Sequence, residues 1–230
     1  MVRACWAPHS RIEECHVVDS LPAERPGAAG TLARMETAKK TKHAIEPKRI
    51  YQLRVSLEGC ELSVWRRLWV ADTLTLATLD RVIQAAMGWT NSHLHEFVIG
   101  SRSYGMPDDE WPGELPILDD RRHKLGAAIG TEIREFSYLY DFGDHWQHRV
   151  VVEQILLPNE TNSWPMCLDG RNACPPEDVG GIGGYDEFLQ KMQDPTDEEH
   201  NNMWRWHGGP FDPTSFDVNA ANRAIRQLKA

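Results

Sequence analysis

Tyr51, Leu53, Val55 and Leu57 alternate with polar neighbours, the two-residue period of a strand with one buried face, and Gly59 ends the run. A second strand is expected at about Val64–Val70. The period then lengthens: Leu76, Leu79, Val82, Ile83 and Ala86 recur at helical spacing, with Thr75 placed to cap the start and Gly88 to stop the end. His95–Ile99 reads as another strand, and residues 105–130, rich in Pro, Gly and Asp, as a long irregular excursion. Phe136, Tyr138 and Tyr140 alternate into a turn at Gly143-Asp144, and Trp146, His148, Val150 and Val152 alternate out of it, which predicts a hairpin. Helices are expected beyond, at Tyr185–Gln193, then behind Asp194 as N-cap with Pro195 at the first position and Gly208-Gly209 as a stop. A last helix follows Asp217, with Val218, Ala221, Ile225 and Leu228 on its apolar side. The pattern predicts an α+β fold: a small, mostly antiparallel sheet with packed helices and a helical C-terminal third.

Residues 1–49 mix Pro, Gly, Ala, Arg and Lys without either period and end near the basic run Lys39-Lys40-Thr41-Lys42. They read as a disordered extension ahead of a domain at 50–230. Met35 opens a short polar leader before Tyr51, so residues 1–34 are expected to be dispensable, a start-site artefact. With 230 residues, 41% of them hydrophobic, the chain can bury a core without a metal or disulfide. No apolar run is long enough for a bilayer, and no apolar leader marks export, so a cytoplasmic protein is expected. Five cysteines at irregular spacing, Cys5, Cys15, Cys60, Cys167 and Cys174, fit thiols in a reducing compartment better than a disulfide framework.

Charge is unevenly placed. Residues 1–50 hold nine Lys/Arg and six Asp/Glu, leaving sixteen against twenty-eight for residues 51–230, a net charge of about −12 for the main domain. Such a surface repels phosphate backbones, which disfavours nonspecific nucleic-acid binding and leaves protein partners as the expectation.

Candidate chemistry clusters at Tyr140-Asp141-Phe142-Gly143-Asp144-His145-Trp146-Gln147-His148, where Asp141 and Asp144 can both project from the turn. Oxygen ligands suit Mg²⁺ or Mn²⁺, and an imidazole from His148 shifts preference toward Zn²⁺. The competing reading is a tight turn whose aspartates accept backbone hydrogen bonds while Trp146 anchors the hairpin. His148 is expected to be available to solvent or ligand, which requires a bulge or twist near the turn because it shares a face with Trp146. His93 and His95 face the same side of an extended segment and can share a metal, although a structural role competes. His95, Asp141, Asp144 and His148 are the candidate ligands of a divalent metal. Cys167, Cys174, Glu177 and Asp178 join them as lining of one pocket in which the Asp141–Asp144 turn meets the 167–178 loop, with His95 at the rim. Cys167 and Cys174 lie too far apart in sequence for an ordinary zinc hairpin. Gly180-Gly181-Ile182-Gly183-Gly184 before a helix can hold an anion, but no Lys-Ser/Thr follows, and backbone geometry that only glycine tolerates explains it as well. Trp204 and Trp206 can stack a ligand or close a core.

Taken in order, Val64-Trp65-Arg66-Arg67, Ile83-Gln84-Ala85-Ala86-Met87-Gly88-Trp89, Ser92-His93-Leu94-His95-Glu96-Phe97, Tyr140-Asp141-Phe142-Gly143-Asp144, Trp146 with His148, Cys167-Leu168-Asp169-Gly170, Cys174-Pro175-Pro176-Glu177-Asp178, Gly180-Gly181 with Gly184-Tyr185, and Phe211-Asp212-Pro213 resemble the plasmid pRiA4b ORF-3-like family. That family is also met as an insertion-element passenger labelled a resolvase. The resemblance spans about Tyr51 to Lys229 and implies a compact α+β fold and an association with mobile elements, with no activity to carry over. Tyr51, Arg54-Val55-Ser56 and Leu79-Asp80-Arg81 echo serine recombinases only faintly, since the spacing differs by one residue and no basic helix-turn-helix follows. Two function classes remain: a binding or regulatory module of a mobile element, and a metal-dependent hydrolase or nuclease. The second requires His95 and His148 to converge with at least two of the acids.

Overall fold

Eight strands form one sheet in the order β5-β4-β3-β6-β7-β1-β2-β8. They are β1 (Ile50–Leu57), β2 (Trp65–Ala71), β3 (His95–Ile99), β4 (Arg102–Gly105), β5 (Ile117–Asp119), β6 (Glu135–Tyr140), β7 (Trp146–Leu156) and β8 (Met166–Arg171). Every neighbouring pair is antiparallel except β4 with β5. The computed structural model describes residues 46–107, 116–159 and 164–228, all within the unit Ala44–Ala230. The expected disordered extension, apart from its last few residues, lies outside the described residues.

The apolar positions of β1 form one buried row, Tyr51, Leu53, Val55 and Leu57. Helix α1 (Leu76–Met87) lays Leu76, Leu79, Val82 and Ile83 into the same core. Thr75 caps it, its hydroxyl accepting from Thr78 N at 3.2 Å, and Gly88 stops it in the left-handed region at φ 99°. The hairpin of β6 and β7 forms as the alternation predicts.

Four expectations are corrected. The sheet is larger than expected: β4, and within the stretch 105–130 expected to be irregular β5 and the short helix α2 (Leu125–Ile129), are elements too brief for periodicity to reveal. The C-terminal third holds α3 (Gly181–Gln193), α4 (His200–His207) and α5 (Val218–Gln227), but also the edge strand β8. Asp194 ends α3 instead of starting the next helix, because its carboxylate is engaged by Thr196 N and Oγ1 in a local turn; Glu199 precedes α4. Finally, β7 is regular beside the turn, and its register shift lies at the far end, opposite Gln52 and Leu53. His148 therefore keeps the face of Trp146 and is fully buried, not available to solvent.

Two side chains tie the C-terminal segment to the sheet. Arg66, buried on β2, donates from Nε to Ala86 O and from a terminal nitrogen to Trp65 O and Arg171 O, each at 2.9 Å, and stacks on Phe216 at 4.1 Å. On α5, Asn222 Oδ1 accepts from Cys167 N at 2.9 Å while its Nδ2 donates to Cys167 O at 2.7 Å. Its amide thus bonds the edge strand as a ninth strand would.

Candidate functional site

Asp80 lies within the apolar stripe of α1, four residues after Leu76 and three before Ile83, so the helix carries it into the core. Its Oδ1 accepts from Tyr138 Oη at 2.7 Å, and Tyr138 Oη in turn accepts from Gln84 Nε2 at 2.8 Å. Burial raises the proton affinity of Asp80, against the opposing pull of His95 and the Tyr138 hydroxyl. His95 opens β3 between two buried acids, its Nδ1 facing Asp80 Oδ1 at 3.2 Å and its Nε2 hydrogen-bonded to Asp120 Oδ2 at 2.9 Å. Asp120 follows β5, whose loop is pinned to the start of α1 by Leu76 N donating to His123 O at 2.9 Å.

This row borders an open cavity of about 500 Å³, whose lining includes Thr78, Arg81, His93, Leu94, Met106 and Arg121. Leu94 is 51% exposed and Met106 60%, so the polar recess has an apolar margin.

The second part of the site lies where the β6–β7 turn meets the loop entering α3. Asp141 sits at φ 57°, its Oδ1 accepting from Gly143 N at 2.9 Å and Asp144 N at 3.3 Å, which winds the turn on itself. Asp144 Oδ2 accepts from Gly180 N at 3.1 Å, joining turn to loop. Gly181 follows at φ 67°, where a Cβ would stand 2.5 Å from Asp144 O, so the glycine-rich run reflects a close backbone approach. Glu177 Oε1 accepts from Thr90 N at 2.7 Å and Tyr140 Oη at 3.0 Å, and Oε2 from Thr90 Oγ1 at 2.8 Å. Burial works against its charge, but these donors hold its carboxyl below the usual range. His93 Nε2 faces Asp178 Oδ1 at 3.0 Å and Asp141 Oδ2 at 3.5 Å.

The turn joins the chain just after the 167–178 loop through Asp144 and Gly180, and Asp178 at the loop's end faces His93, but the expected residues divide differently. The imidazole beside them is His93, while His95 belongs to the neighbouring acid pair. His148 is enclosed by Trp89 and Tyr138, its Nδ1 directed at Tyr138 O at 3.2 Å and its Nε2 without a hydrogen bond. Burial pushes its pKa down to about 4, which keeps it neutral. Asp144 holds backbone, and Cys167 and Cys174 are free thiols pushed up by desolvation to about 11 and about 12. Among the described residues, His93, Asp141 and Asp178 are the three-ligand cluster within reach of one ion, so His95 and His148 do not converge with the acids. Tyr51, part of the recombinase echo, is buried and donates to Gly130 O at 2.9 Å. On α4, Trp206 packs edge-on against Phe188 at 5.8 Å, with Trp204 45% exposed beside it.

Asp80 and Asp120 escaped the sequence reading. A charged residue inside an apolar helical stripe is a usable signal for Asp80; Asp120, in a segment without period, gives none. No described helix is long and apolar enough to cross a membrane.

Comparison with known proteins places this geometry among relatives. The protein y4hQ of Sinorhizobium fredii, itself uncharacterised, is 41% identical over 182 residues, covering 79% of this chain and 93% of its own. The crystal structure of MM3350 from Methanosarcina mazei Go1, a protein of unknown function, superposes with a TM-score of 0.68 at 35% identity, covering 76% of this chain and 97% of its own. The sequence profile of the plasmid pRiA4b ORF-3-like proteins matches residues 49–220, and this chain belongs to that family.

Proposed function

We propose that the protein is a binding module of a mobile genetic element, and that the cavity over His95 receives a basic segment of a protein partner. The observation that carries this reading is the recess itself: Asp80, His95 and Asp120 interlock at its floor, with Leu94 and Met106 exposed at its margin. Such a floor is suited to recognition. Its imidazole stands between two carboxylates, which fixes the polar groups at the base of the recess. The margin offers the apolar contacts that anchor a docked chain. The surplus of acids in residues 51–230 favours a cationic partner and disfavours nucleic acid.

The test is co-purification from host cells of the intact protein and of a Leu94→Asp, Met106→Asp variant. The wild type is expected to retain a defined partner that elutes as salt is raised, and the variant to lose it. Equal retention by both proteins, or no partner above an empty resin, sinks the reading. A further variant, His95→Gln, is expected to weaken the complex by about tenfold or more, because it unseats both acids at the floor.

A further inference from the structure

We propose that His93, Asp141 and Asp178 form a site for a divalent cation of the Mn²⁺ or Zn²⁺ class, at the junction of the β6–β7 turn and the loop entering α3. The site needs no partner, and it shares only His93 with the lining of the recess over His95. Its ligand atoms come from three separate stretches of chain and lie within 4.8 Å of one another. Their spacing is the first argument. A cation bound at about 2.1 Å by ligands roughly 90–109° apart separates neighbouring ligand atoms by about 3.0–3.4 Å. His93 Nε2 stands 3.0 Å from Asp178 Oδ1 and 3.5 Å from Asp141 Oδ2.

The second argument is what these atoms lack. His93 Nε2 is enclosed yet makes no hydrogen bond, so neither oxygen lies along the direction in which the nitrogen points. The Asp141 side chain is 10% exposed; its Oδ1 is consumed by the turn, and its Oδ2 is the oxygen turned toward His93 Nε2.

The surroundings fix the ligands. The Asx turn sets Asp141, and the three hydrogen bonds to Glu177 set the residue before Asp178. Asp178, 70% exposed, leaves a path for the ion and positions for water. One imidazole nitrogen with two carboxylates is a borderline set that suits Mn²⁺ or Zn²⁺, whereas Ca²⁺ requires six or more oxygens.

The experiment is calorimetric titration of the full chain, freed of its purification tag and stripped with a chelator, with MnCl₂ and with ZnCl₂. One equivalent of at least one ion is expected to bind. Asp178→Asn and His93→Gln should each weaken it by at least about tenfold, while Asp197→Asn, between α3 and α4, leaves it unchanged. Because Asp178 is exposed, its variant retains the fold, which the metal-free melting temperature verifies. Failure of the wild type to bind either ion by about 1 mM, or binding unaltered in both ligand variants, overturns the proposal.

Discussion

His148 shows how one ring position sets a solution property. In the folded protein it is neutral, with its pKa lowered by desolvation to about 4 from 6.5 against the pull of the backbone at Tyr138 and Trp146, and the rings of Trp89 and Tyr138 pack on it. The unfolded chain takes up the proton first, so the stability it contributes is complete above about pH 6.5 and is lost as pH falls toward 4. The shift corresponds to roughly 2 kcal/mol between about pH 7 and pH 5. His148→Phe should flatten the pH dependence of the urea midpoint over that interval; an unchanged slope would refute the assignment. Trp146→Ala, on the same face, should cost about 3–5 kcal/mol in the same melts. The sequence drew Asp141 and Asp178 into one candidate group because acids and imidazoles cluster there, but its metal set took His95 where the structure brings His93. It misdirected His148, since the pleat that carries Trp146 inward carries His148 inward too, and only a bulge beside the turn would have reversed it.

Elements meet through Arg66 and the glycine loop. The guanidinium joins the end of α1, strand β8 and Phe216 and pairs with no carboxylate among the described residues; carbonyl dipoles, including that of Ala86 at a helix C-terminus, face its charge. Arg66→Met strands three acceptors and is expected to cost about 3–5 kcal/mol. Arg66→Lys should recover little, because an ammonium lacks the planar fork that spans them and the face that stacks. Thermal melts of both variants decide the matter, and full rescue by Lys would contradict it. At Gly181, Ala must adopt a left-handed backbone costing about 1–3 kcal/mol and also displace Asp144, so that variant should melt lower still than strain alone predicts. Helices and strands with several turns or alternations were legible here. β4, β5 and β8 were not, because a short strand with mixed partners carries too few positions to show a period.

Across the whole molecule, the sheet order explains why the site resisted sequence reading. β1 lies between β7 and β2 and β3 lies beside β6, so Asp80, His95 and Asp120 meet through pairings that no local pattern encodes. The same order leaves β8 at one border, where Asn222 occupies the backbone of Cys167. That amide, carried by α5 as it packs along β8, satisfies the outward backbone groups of one border residue. With Asn222→Ala, the bare amide and carbonyl of Cys167 can be met by the border of a second copy, and concentration-dependent dimers by light scattering are the expected sign. The border strand is thus held by a residue of a helix 55 positions further along the chain.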